Sequence, residues 1–123
     1  MQNALSAIEK FSIKRRASNI LLKSNIVEWI VNLLRSPEQL REYTLDYVMA
    51  LLLNLSLRSE GIKRCEDPAL EILKILKPLM THQNINIRSH INGTLYALFS
   101  SQKLKEEGRV FNQVVKWFRK WDL

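Results

Sequence analysis

The sequence predicts an all-α fold, a right-handed α-solenoid of stacked helical repeats, and two observations carry that expectation. The first is a fixed spacing. The segments SAIEKFSIK (Ser6 to Lys14), ALLLNLSLR (Ala50 to Arg58) and TLYALFSSQ (Thr94 to Gln102) begin 44 residues apart. In that register Leu55 stands with Phe11 and Phe99, Leu52 with Ile8 and Tyr96, Leu51 with Leu95, and Ser56 with Ser12 and Ser100. Self-similarity at a period of about 40–47 residues marks a helical array. The second is composition. Only three Gly and three Pro interrupt 123 residues that are 46% hydrophobic and 25% charged. That mix suits one packed helical domain, long enough to bury a core.

The elements follow in order. Asn3 to Phe11 is a helix whose stripe is Ala4, Leu5, Ala7, Ile8 and Phe11. A basic turn, Lys14-Arg15-Arg16, leads to a short helix, Ala17 to Leu22. Asn25 is placed to cap the next helix, Ile26 to Arg35, with Val27, Ile30, Val31 and Leu34 on one face. Ser36-Pro37-Glu38-Gln39 predicts an N-cap, a proline at the first helical position and a capping box. The helix opened there is expected to run to Leu57, and Ser59-Glu60-Gly61 to break it with Gly61 in the left-handed conformation. A short charged segment extends to Glu66.

Asp67-Pro68 repeats the cap-plus-proline start, opening a helix from Ala69 to Met80 that packs through Leu70, Leu73, Leu76 and Leu79 or Met80. Pro78 removes a backbone donor and should kink or tighten its last turn. His82 to Asn86 reads as a polar loop before a third long helix, Ile87 to Ser100. Gly93 inside that helix costs up to ~1 kcal/mol relative to alanine unless a neighbouring helix packs closely there. A charged segment, Gln102 to Gly108, precedes a last helix, Arg109 to Trp121.

Long, short and medium helices in rotation are the armadillo layout, distinct from two-helix repeats. The chain then divides into an orphan long helix (1–12), two repeats (13–58 and 59–101) and a partial repeat (102–123), incomplete at both ends. The last helix carries Val110, Phe111, Val114, Val115, Trp117, Phe118 and Trp121, more apolar surface than one neighbour covers. A continuing protein, or a fragment boundary, is the expected reason.

Net charge is +7, with five Lys/Arg against one acid over residues 1–24 and four against one over residues 109–123. Basic ends of this kind are solvated surface, or meet nucleic acid, anionic lipid or an acidic protein tail. One cysteine, Cys65, excludes an internal disulfide and fits a reducing compartment. No secretory signal is expected, and the apolar run Tyr47 to Leu57 is too short to span a bilayer. The sequon matches at Asn54 and Asn92 fall within helices and are discounted.

Catalysis is not expected, nor is a cofactor. His82 and His90 have no second cysteine or acid cluster to complete a metal site. No phosphate loop or nucleophile elbow is present. Cys65, among Lys63, Arg64, Glu66 and Asp67, is the one place where a depressed thiol pKa is conceivable. Arg15-Arg16-Ala17-Ser18 has the shape of a basophilic kinase site, making Ser18 a candidate phosphosite. Lys116-Trp117-Phe118-Arg119-Lys120-Trp121 interleaves bases with aromatics, which an unfinished repeat core explains better than single-strand or membrane binding.

Binding is the remaining class. On the long helix Asp46, Ala50, Asn54 and Arg58 recur every four residues and form a stripe beside the buried side, Val48, Leu51, Leu52 and Leu55. The same rows contain Lys10, Asn54 and Leu98, then Lys14, Arg58 and Gln102. Asp46, Asn54, Arg58, His90, Lys10 and Lys14 are therefore groove candidates for a protein partner. A single asparagine in its row argues against a regular ladder for an extended peptide. Lys10, Lys14 and Arg58 would also repel the basic cargo of an importin-like adaptor.

The blocks NALSAIEKFSIKR (Asn3 to Arg15), YTLDYVMALLLNLSLRSEG (Tyr43 to Gly61) and INGTLYALFS (Ile91 to Ser100) resemble the armadillo region of the armadillo repeat-containing protein nine family, LisH-domain proteins of the ciliary basal body. The likeness runs from Asn3 to about Phe118. The family's LisH segment, coiled coil and acidic tail have no counterpart here, so a repeat region alone is expected. The resemblance implies a non-enzymatic scaffold of the basal body or centriole, in cilium assembly or stability and Hedgehog-type signalling. It implies ciliary or microtubule-associated protein partners in a cytoplasmic, cytoskeletal location, with no small-molecule substrate. Nucleic acid is not an expected partner.

Overall fold

The computed structural model describes residues 2–115 and is all-α, with no strand among the described residues. The α-helices are α1 (Gln2–Phe11), α2 (Arg15–Leu22), α3 (Ile26–Leu34), α4 (Glu42–Ser56), α5 (Ser59–Cys65), α6 (Ile72–Leu76), α7 (Ile85–Leu98) and α8 (Gln102–Val115), with 3-10 turns at Pro37–Gln39, Pro68–Leu70 and Lys77–Thr81. The long helices α1, α4 and α7 stack side by side, α4 lying against both of the others. This is an armadillo-type solenoid.

The stack is held by the stripe that the sequence places inward. On α4, Leu45, Val48, Met49, Leu51, Leu52 and Leu55 are all buried. Val27, Ile30, Val31 and Leu34 of α3, and Ile87, Ile91, Leu95 and Leu98 of α7, join the same core. The end helix α1 differs. Leu5 is buried, whereas Ala4, Ala7 and Phe11 are exposed, because α1 packs on α4 along one side only.

Several boundaries depart from the sequence expectation. Pro37 opens a short 3-10 turn rather than the long helix; Ser36 makes no side-chain cap, and Leu40 is extended before α4 begins. The break after α4 falls at Arg58, which is extended, and Ser59, Glu60 and Gly61 lie inside α5. Gly61 has no positive φ. It is a contact glycine: an added Cβ would stand 1.9 Å from the Leu55 carbonyl oxygen. The segment expected as one helix from Ala69 to Met80 is two 3-10 turns around the single helix α6, with Glu71 left-handed at φ 54. Arg35 braces that joint, its guanidinium donating to the Ala69 and Leu70 carbonyls at 3.2 and 3.1 Å and pairing with Glu71 at 3.4 Å. Finally, α8 runs through Gly108 without a break where a charged segment and a new helix are expected. Residues 116–121, and the side chains of Val110 to Trp121, lie outside the description.

The Asp67, Pro78 and Gly93 expectations hold, whereas Asn25, expected to cap α3, makes no side-chain cap. Asp67 accepts from the Ala69 N–H at 3.0 Å, and Pro78 lies in a tightened 3-10 turn. Gly93 lets α7 approach α4, the Leu53 side chain standing 3.2 Å from where a Cβ would be. Two caps escape a sequence scan. Asn84 accepts from the Asn86 and Ile87 N–H groups, which starts α7 two residues early. Ser101 accepts from Leu104 N–H and donates to Glu66 at 2.5 Å, fastening α8 to the end of α5.

Candidate functional site

The face formed by the ends and flanks of α1, α4 and α7 carries the groove candidates. Asp46 and His90, one period apart in sequence, meet across the α4–α7 seam with Nδ1 and Oδ1 2.8 Å apart. Both atoms are shielded from water. The His90 ring N–H is not aligned with the carboxylate, so the two meet as a close polar contact across the seam and not as a formed hydrogen bond. Asn54 faces the other seam. Its Nδ2 lies within donating distance of the Glu9 carbonyl (3.2 Å), the Glu9 carboxylate (3.3 Å) and Ser12 Oγ (3.0 Å). Arg58 Nη2 donates to the Ile13 carbonyl at 3.2 Å.

These residues are brought together, but the Asn54 and Arg58 bonds run between neighbouring helices. The Asn54 amide protons are engaged by α1 and the turn after it, so Asn54 acts as a seam fastener. Asn54→Ala is expected to lower stability by about 1–2 kcal/mol, read as a fall in the urea midpoint at unchanged slope. Leu98, in the same row, is fully buried and belongs to the core. Lys10 and Lys14 are exposed, and neither lies within 4.0 Å of a carboxylate among the described residues.

Two other candidates are corrected. Ser18 is fully buried, with its hydroxyl donating to the Ser12 carbonyl, so the turn does not present it to a kinase. Cys65 is buried, and its thiol is pushed up to about 12, first by burial and then by the Glu28 charge, against a small opposing hydrogen bond from Ser56. The unfolded thiol ionises near 9.0 while the folded one holds its proton. The native state therefore binds the extra proton, and Cys65 contributes stability that is full below pH 9.0 and is lost as pH rises towards about 12. Denaturant titrations across that window should show a falling midpoint that Cys65→Ala reduces. Native protein should also resist thiol alkylation at neutral pH.

Arg64 was not singled out by its sequence context, yet it is a hub between units. It donates to the Leu22 carbonyl at 2.6 Å and the Ser24 carbonyl at 3.4 Å, and pairs with Glu60 and Glu28. Its work is helix capping and seam closure. Among the described residues no group of three or more His, Cys, Asp or Glu is placed to hold a metal ion. No helix among them is long and apolar enough to cross a membrane.

The family model described as LisH domain-containing protein ARMC9, ARM repeats, matches residues 21–120. Among curated relatives, the LisH domain-containing protein ARMC9 of Homo sapiens is 39% identical over 108 residues, covering 88% of this chain and 13% of its own length. That of Rattus norvegicus is 39% identical over 108 residues, covering 88% and 15%. That of Xenopus laevis is 34% identical over 119 residues, covering 95% and 15%. The chain thus spans a small part of the length of the curated relatives it matches. No solved structure matches it.

Proposed function

The chain belongs to the ARM-repeat family of LisH domain-containing protein ARMC9, and from that premise we propose that it is a non-enzymatic protein-binding scaffold of the ciliary basal body or centriole. Armadillo repeats are protein-binding modules. Its role is in cilium assembly or stability and in ciliary Hedgehog-type signalling, with ciliary or microtubule-associated proteins as partners. The match of the family model over residues 21–120 carries this reading.

The importin-type alternative gains nothing from the groove face. Asn54 is engaged by α1, and exposed Lys10 and Lys14 oppose a basic cargo. The test is the position of a fluorescently tagged copy, expressed from the complete coding sequence in ciliated cells. Concentration at basal bodies is expected; a diffuse or nuclear signal would sink the proposal.

A further inference from the structure

The corner between α1 and α2 combines unpaired cations with exposed apolar side chains. Lys10, Lys14, Arg15 and Arg16 are exposed, and no carboxylate among the described residues lies within 4.0 Å of any of them. Glu9, the one acid in this stretch, lies 3.3 Å from the Asn54 amide nitrogen. Between the cations stands Ile13, 61% exposed, and Leu57, one period later and next to Arg58, is 63% exposed. The corner is built rather than loose. Asn54 bonds to Ser12, Arg58 holds the Ile13 carbonyl, and the buried Ser18 hydroxyl closes onto the Ser12 carbonyl. The end of α4 thus fixes the turn that displays both kinds of side chain.

We propose that this corner, comprising Lys10, Ile13, Lys14, Arg15, Arg16 and Leu57, docks an acidic protein segment in which carboxylates alternate with apolar anchors. Complementary charge selects the occupant: four uncompensated cations attract carboxylates and reject basic segments. The apolar side chains lie on separate elements, each beside a cation. That spacing suits discrete anchors of a peptide better than the continuous apolar face a lipid surface requires. Nucleic acid would need a stacking platform, and none of these corner residues is aromatic. Surface charge here does not serve folding, since charges left unpaired at a surface add little stability. The proposal rests on the protein-binding reading and names the chemistry of one partner.

The test is fluorescence anisotropy of the purified protein with labelled Glu-Asp-Glu-Leu-Glu-Phe-Glu-Asp, and with the same peptide carrying lysine for each acid. Binding of the acidic peptide alone is expected, weakening as salt rises. Lys14→Glu with Arg16→Glu should weaken it at least about tenfold. Ile13→Ser with Leu57→Ser should weaken it at high salt as well, while Lys74→Glu on α6 changes nothing. All these positions are exposed, and circular dichroism checks that each variant is folded. Failure of the acidic peptide to bind, or equal binding by the charge-reversed variant, overturns the proposal. Tighter, corner-dependent binding to phosphatidylserine-containing vesicles or to single-stranded oligonucleotide overturns it in favour of those partners. If peptide binding fails while the tagged protein still concentrates at basal bodies, the corner assignment falls and the scaffold reading stands.

Discussion

Gly61→Ala is expected to destabilise the fold by about 3 kcal/mol or more, although helix propensity alone predicts the opposite sign. Gly61 sits inside α5 at an ordinary helical φ, where alanine is worth up to ~1 kcal/mol more than glycine. The space decides. An added Cβ would stand 1.9 Å from the Leu55 carbonyl oxygen and 2.7 Å from its carbon. The obstructing atoms are backbone of α4, so relief requires α5 to lift away from the end of α4. That shift would disturb Cys65, which α5 buries, and the Arg64 bonds to α2. Overpacking that forces backbone shifts costs typically 1–3 kcal/mol and occasionally more, and it removes the propensity gain. A chemical denaturation series should show the loss; a variant as stable as the parent, or more stable, would mean that the α4–α5 approach is not as close as described.

Leu55→Ala should cost about 3 kcal/mol, within the usual range for a leucine cut from a packed core, whereas Phe11→Ala should cost under about 1 kcal/mol. The two residues occupy one row of the repeat. Leu55 is fully buried because α4 has a long helix on either side, while Phe11 is 47% exposed because α1 has one such neighbour among the described residues. Equal losses for the two would show that repeat position, rather than stacking, sets the energetics.

The same pair shows what is readable in the sequence. The period and the inward stripe of α4 follow from residue type, since every apolar position there finds a neighbour. The exposure of Phe11 does not, because identity at a repeat position does not say which helices pack against it. Glycine misleads for a related reason. Gly61 suggests a left-handed stop, but close helix approach demands glycine just as strictly, and sequence cannot separate the two. The joint at Glu71 is invisible because a non-glycine left-handed residue is supported by Arg35, far along the chain.

The candidate face was partly legible. The four-residue spacing places Asp46, Asn54 and Arg58 near the seams, whereas the meeting of Asp46 with His90 is visible only in the fold. What spacing could not show is that the Asn54 and Arg58 bonds run between helices, so the Asn54 amide is occupied by Glu9 and Ser12. Charge patterning pointed to the basic end, and the fold gives it meaning by fixing the turn that displays Lys10 and Lys14. Ser18 fails as a phosphosite, and Cys65 holds its proton, for one shared reason: burial, which short motifs do not encode.

The most direct test of the scaffold account is rescue in ciliated cells lacking the protein. Expression from the complete coding sequence should restore cilia, and the same sequence carrying Gly61→Val should not, while exposed Lys74→Glu should restore them fully. Equal rescue by the Gly61→Val form would show that a folded helical array is not what the cilium requires, contradicting the account.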